Sequence, residues 1–123
     1  HYVKILNSKI KEHKPDCWLV NTGWTGGAFG TGHRMPIEVT RALVDGALSG
    51  RLNGAEFEPD PIFNFLVPKR VDGVPTQILK PRNTWKDGAL YDVKARELAN
   101  RFHENFKKYA QDASEEVASG SPK

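Results

Sequence analysis

The sequence predicts an α/β fold, and three observations carry that expectation. Apolar residues recur at helical spacing near both ends of the chain, a short apolar run at residues 17–20 reads as a covered strand, and a glycine-dense loop leads from that strand into a further helix. With 38% hydrophobic and 27% charged residues, the composition argues against both a disordered chain and a membrane-embedded one. At 123 residues the chain has the length of one domain.

The first helix is expected over residues 2–14, where Tyr2, Val3, Ile5, Leu6 and Ile10 lie close to one helical face. Pro15 stops it, because proline disfavours helix in the residue before it. Cys17-Trp18-Leu19-Val20 is apolar without alternation and too short for a helix, which suits a buried strand. Residues 21–34 then hold five of the eleven glycines, a density that marks positive φ or close backbone approach. A helix opens at Pro36, with Glu38 in its first turn, an apolar stripe of Ile37, Leu43, Val44, Ala47 and Leu48, and Gly50 as its stop.

From 51 to 85 the residues read as extended segments and turns. Residues 62–67, bracketed by Pro61 and Pro68, suit a strand, and Asp72-Gly73 marks a turn. In the last helix Asp87 is the cap, followed by Tyr91, Ala95, Leu98, Phe102, Phe106 and Tyr109 at every third or fourth position. The domain is expected over 1–111, with residues 112–123 a polar, disordered tail. Three apolar helix faces need a sheet to cover, and one central strand is too few, so the fold is expected to be incomplete on its own.

Charge decides little. Eighteen Lys and Arg against fifteen Asp and Glu give a net +3, interspersed without a long like-charged run or an aromatic-basic groove, so no nucleic-acid partner is expected. Nothing approaches the ~18 uninterrupted apolar residues of a membrane span, so no membrane partner is expected either. The lone Cys17 excludes an internal disulfide framework and fits a reducing, cytoplasmic setting.

Strand, glycine loop and helix start are what an anion or nucleotide site needs, since loop amides and the helix end both offer positive charge. The pattern is neither a P-loop nor a dinucleotide fingerprint: Gly32 is followed by His33-Arg34 rather than Lys and a hydroxyl, and Met35 stands where a last glycine belongs. Arg34 can stack on a base or fork onto a phosphate, and Thr40 can offer a hydroxyl or bond back to its own helix. The histidines (His1, His13, His33 and His103) are dispersed, with no metal-ligand spacing. Cys17 reads as a small hydrophobe, Trp18, Trp24 and Trp85 as packing anchors, and Glu56, Glu58 and Asp60 as a solvated face. No catalytic set is complete within the chain.

Residues 18–27, Trp-Leu-Val-Asn-Thr-Gly-Trp-Thr-Gly-Gly, with Gly30-Thr31-Gly32-His33-Arg34 and Thr40-Arg41-Ala42-Leu43, resemble the ATP-dependent phosphoenolpyruvate carboxykinases. The likeness continues through Val67-Pro68, Gly73-Val74-Pro75, Pro81-Arg82, Thr84-Trp85, Tyr91-Asp92 and residues 105–110. It implies the C-terminal part of a mononucleotide-binding carboxykinase domain, the upstream part of the same enzyme being its partner. The implied reaction converts oxaloacetate and ATP to phosphoenolpyruvate, ADP and CO2, a gluconeogenic step, with Mg or Mn held outside this segment. It also implies that Arg34, Met35 and Thr40 line the adenine and ribose pocket, and that catalytic and metal-binding residues lie upstream. His33 stands where that family often has Lys. The alternative is a free-standing, non-catalytic nucleotide- or anion-binding module.

Overall fold

The computed structural model describes residues 2–123, and His1 lies outside them. Helix α1 spans Tyr2–His13 and buries no residue. Its apolar side chains Tyr2, Val3, Ile5 and Leu6 all stand exposed. The chain leaves α1 through Lys14, at φ 45°, and Pro15 follows.

Residues 17–20 do not form the expected strand. Cys17 and Leu19 are exposed and the backbone is irregular. A strand exists only where a neighbour supplies the other half of its hydrogen bonds, and none of the described residues runs alongside this run. Trp18 instead packs its ring against Phe57, with centroids 6.0 Å apart.

The glycine-dense segment folds as a small hairpin. Strands β1 (Trp24–Thr25) and β2 (His33–Arg34) are antiparallel, with Trp24 opposite Arg34 and Thr25 opposite His33. Helix α2 (Ile37–Leu48) follows at once, with Pro36 as its N-cap residue; the Pro36 carbonyl accepts the amides of Val39 (3.1 Å) and Thr40 (3.2 Å). The buried face of α2 is not the stripe expected. Ile37 and Leu48 are exposed, while Val39 and Gly46 are buried with Leu43 between them, a spacing of i, i+4, i+7. Gly50, at φ 74°, ends the helix as its position suggests.

A 3-10 turn (Arg51–Gly54) leads to a second hairpin, β3 (Phe57–Pro59) with β4 (Leu66–Pro68), paired Phe57–Pro68, Glu58–Val67 and Pro59–Leu66. The expected strand over 62–67 is thus mostly turn. Asp60 is the cause: its Oδ1 accepts the amides of Ile62 (2.9 Å) and Phe63 (2.7 Å), and its own amide donates to the Phe65 carbonyl (2.7 Å). An aspartate that satisfies local amides in this way competes with strand pairing.

Two one-turn helices, α3 (Thr76–Leu79) and α4 (Pro81–Thr84), occupy a stretch that reads as extended. Pro75 is the N-cap residue of α3 and Pro81 the first residue of α4, positions where a missing amide proton costs nothing. Helix α5 (Gly88–Phe106) begins where expected, with Asp87 Oδ1 accepting the amides of Ala89 (2.8 Å) and Leu90 (3.2 Å).

Residues 112–123 also depart from expectation. Ser114 caps a short helix α6 (Glu115–Ser119), and Glu115 and Glu116 in its first turn complement the helix dipole. The end of the chain is tied back, with the Lys123 amide donating to the Ile62 carbonyl (2.7 Å) and His103 Nε2 lying 2.8 Å from the Pro122 carbonyl.

Two small cores result. Met35, Val39, Leu52, Val71 and Val74 form one; Ile62, Ala95 and Ala99 form the other, flanked by Phe63 and Tyr91. Among the described residues no large side chain is fully buried, while Leu19, Trp24, Phe29 and Leu48 are more than half exposed.

Candidate functional site

The glycines of the hairpin are needed by the hairpin itself. A Cβ on Gly32 would lie 2.7 Å from the Gly27 carbonyl oxygen and 3.0 Å from that of Thr25, both backbone atoms that cannot yield cheaply. Gly26, at φ 83°, abuts the His33 ring, which a Cβ would meet at 2.8 Å. Within the loop the Ala28 carbonyl accepts the amides of Thr31 (3.0 Å) and Gly32 (2.9 Å), and Asn21 braces the entry by donating to the Trp24 carbonyl (3.1 Å) and accepting from the Gly23 amide (2.9 Å).

The far side of the loop is held by Thr84, at the end of α4. Its hydroxyl accepts from the Gly26 amide (3.2 Å) and the Thr25 hydroxyl (3.4 Å), and donates to the Pro81 carbonyl (2.6 Å). In the sequence Thr84 carries no site signal beyond its place in the family likeness. No local signal could have revealed this contact, because its partners lie 58 and 59 residues away.

Arg34 ends β2, directly before the start of α2. Its side chain is exposed, and among the described residues it makes no ion pair. An unpaired, solvated guanidinium beside a helix N-terminus can stack on a base or fork onto a phosphate without first breaking a salt bridge. Met35, next along, is different: its side chain sits in the first core at 7% exposure, and its amide donates to the Gly23 carbonyl at 2.8 Å. Thr40 is half-buried in the first turn of α2. The three residues therefore share one junction, from hairpin to helix, but only Arg34 reaches freely into solvent.

The carboxylates serve structure. Glu56 pairs with Lys69 (3.2 Å), Glu58 with Lys80 (2.8 Å), and Asp60 closes its turn. Arg82 of α4 binds Asp92 of α5 and holds its carboxyl below the usual carboxylate range. Lys94 and Arg101 do the same to Glu97, the Lys94 hydrogen bond being the larger cause. Burial, with Asp60 and Asp92 nearby, pushes the Tyr91 phenol up. A cleft of about 370 Å³ lies between the second hairpin and α5, lined by Glu58, Asp60, Lys80, Arg82, Tyr91 and Asp92. Its charges are largely compensated by one another. Among the described residues no three His, Cys, Asp or Glu side chains converge to hold a metal ion, so the residues here do not fit one. No helix among them is long and apolar enough to cross a membrane.

By class, this is a mixed helix-and-sheet segment whose apolar surface exceeds what its own cores cover. Comparison with known proteins gives it a family. The family model described as phosphoenolpyruvate carboxykinase matches residues 1–77, and the chain belongs to that family. It is 54% identical over 121 residues to the phosphoenolpyruvate carboxykinase (ATP) of Brucella anthropi, covering 98% of this chain and 23% of that protein. The corresponding protein of Thermus thermophilus is 50% identical over 122 residues, covering 99% and 23%, and that of Paracoccus denitrificans 55% over 116 residues, covering 94% and 22%. The chain thus spans under a quarter of the length of the curated relatives it matches. Likeness of this depth along nearly the whole chain does not favour the alternative of an independent binding module.

Proposed function

We propose that the chain is the C-terminal part of the nucleotide-binding domain of an ATP-dependent phosphoenolpyruvate carboxykinase, and that it forms one wall of the adenine and ribose pocket. The parent enzyme phosphorylates and decarboxylates oxaloacetate with ATP, giving phosphoenolpyruvate, ADP and CO2, in the cytoplasm and in the direction of sugar synthesis. The observation that supports a binding role here is the exposed Arg34 at the junction of hairpin and α2, without an ion pair among the described residues. Its guanidinium lies against the base or ribose side of ATP. Thr40 presents its hydroxyl from the first turn of α2. Met35 contributes through its backbone and by fixing the junction, because its side chain is committed to the core.

Phosphoryl transfer depends on positioning and on charge neutralisation around the metal-bound nucleotide. The Mg or Mn ion and the oxaloacetate are held by the upstream part of the enzyme, and this segment orients the nucleotide without touching the atoms that react. In the full-length enzyme, Arg34→Ala is expected to raise the KM for ATP while leaving that for oxaloacetate near its original value. The 123-residue chain alone is expected to show no oxaloacetate-dependent ATP consumption. An unchanged ATP KM in the variant, or turnover by the isolated chain, overturns the reading.

A further inference from the structure

We infer that Thr84 is a positioning residue for the nucleotide, acting through the glycine-rich hairpin on Arg34; this rests on the reading of Arg34 as an ATP-binding residue. Arg34 has no side-chain partner among the described residues, so within the chain only its backbone fixes the point from which the guanidinium reaches out. That backbone is one strand of a hairpin only two residue pairs long, Trp24–Arg34 and Thr25–His33. So short a ribbon is not stable by itself. Among the described residues, the side-chain hydrogen bonds that tie loop residues 21–34 to a distant part of the chain all end on the Thr84 hydroxyl. One proton and two lone pairs are fully used there, on Pro81, Thr25 and Gly26. Thr25 is the residue opposite His33, and Gly26 is in close contact with the His33 ring. The hydroxyl therefore fixes β1 relative to α4, and β1 fixes β2 and Arg34.

Loss of the hydroxyl leaves the Gly26 amide without its partner and lets the hairpin shift, so the point from which the Arg34 side chain projects is no longer fixed. The effect falls on nucleotide binding. The test uses the full-length enzyme with Thr84→Val, Thr84→Ser, Arg34→Ala and the double variant Arg34→Ala/Thr84→Val. Thr84→Val is expected to raise the ATP KM about 5–10-fold and to leave the oxaloacetate KM within about two-fold. Thr84→Ser, which keeps the hydroxyl, is expected to restore the ATP KM to within about two-fold of the parent. In the Arg34→Ala background, Thr84→Val is expected to add nothing, because the two act through one guanidinium. If Thr84→Val does not fold, Thr84→Ala carries the same comparison.

An ATP KM unchanged by removal of the hydroxyl, while Arg34→Ala raises it, overturns the inference and leaves the reading of Arg34 standing. An equal further increase in the double variant, or failure of Ser to rescue, overturns it as well, since Thr84 then serves structure in general. An ATP KM unmoved by Arg34→Ala removes the underlying reading, and the inference with it.

Discussion

Arg82 grips Asp92 with two parallel hydrogen bonds, Nε to Oδ1 at 2.9 Å and one terminal nitrogen to Oδ2 at 3.0 Å. The guanidinium lies over Gly88, where a Cβ would come within 2.8 Å of its central carbon. Glycine at the start of α5 thus makes room for a fork that ties α4 to the second turn of α5, and the geometry is the bidentate one that lysine cannot reproduce.

The Asp92 carboxyl accordingly titrates below the ordinary value of about 3.9, chiefly through its hydrogen bonds to Arg82. Folding depresses this pKa, so the pair's stabilising effect is complete above the ordinary carboxylate range and is lost as pH falls through the lowered value. A carboxyl-carbon NMR titration is expected to show Asp92 returning towards the ordinary value in Arg82→Gln. An unchanged titration contradicts the pairing.

Met35 and Ile37 make a direct contrast. Met35→Ala empties part of the first core and is expected to lower the protection of α2 amides against hydrogen exchange by about 2–3 kcal/mol. Ile37→Ala, at an exposed site, is expected to change it by less than about 0.5 kcal/mol. Similar losses at the two positions would mean that Ile37 is covered in the full-length protein.

Asp87→Ala removes an acceptor from two amides at the start of α5. The expected cost is about 1 kcal/mol, read from faster hydrogen exchange at Ala89 and Leu90. Asp87→Asn keeps the oxygen and most of the protection.

Gly32→Ala and Gly30→Ala separate crowding from backbone strain. The first drives a methyl into the carbonyl oxygens of Gly27 and Thr25, and is expected to deform the hairpin and raise the ATP KM at least ten-fold in the full-length enzyme. The second meets nothing within 4 Å and carries only the strain of φ 87°, a cost of about 1 kcal/mol with a much smaller kinetic effect. Equal effects would show that the loop is not held as described.

Helices were legible wherever the signal was local. The recurrence of apolar residues from Tyr91 to Phe106, the Asp87 cap and the Gly50 stop are all properties of neighbouring residues, and α2 and α5 form where those signals lie. The face that α2 buries was not legible, because Ile37 and Val39 are equally apolar and only the positions of Leu52 and Val71 decide between them. Residues 62–65 misled for a related reason: they have strand composition, but Asp60 supplies their amides with a nearer acceptor.

The sequence by itself determined the family, through the residues around the Asn-Thr-Gly-Trp loop and Arg34, and placed the candidate site at one junction. Tertiary structure alone decided that residues 17–20 lack a strand partner here, that Met35 turns into the core while Arg34 turns out, and that Thr84 reaches across to Gly26. The physical reason is that a strand, a buried face or a long-range hydrogen bond needs a second surface, and the amino-acid order names only the first.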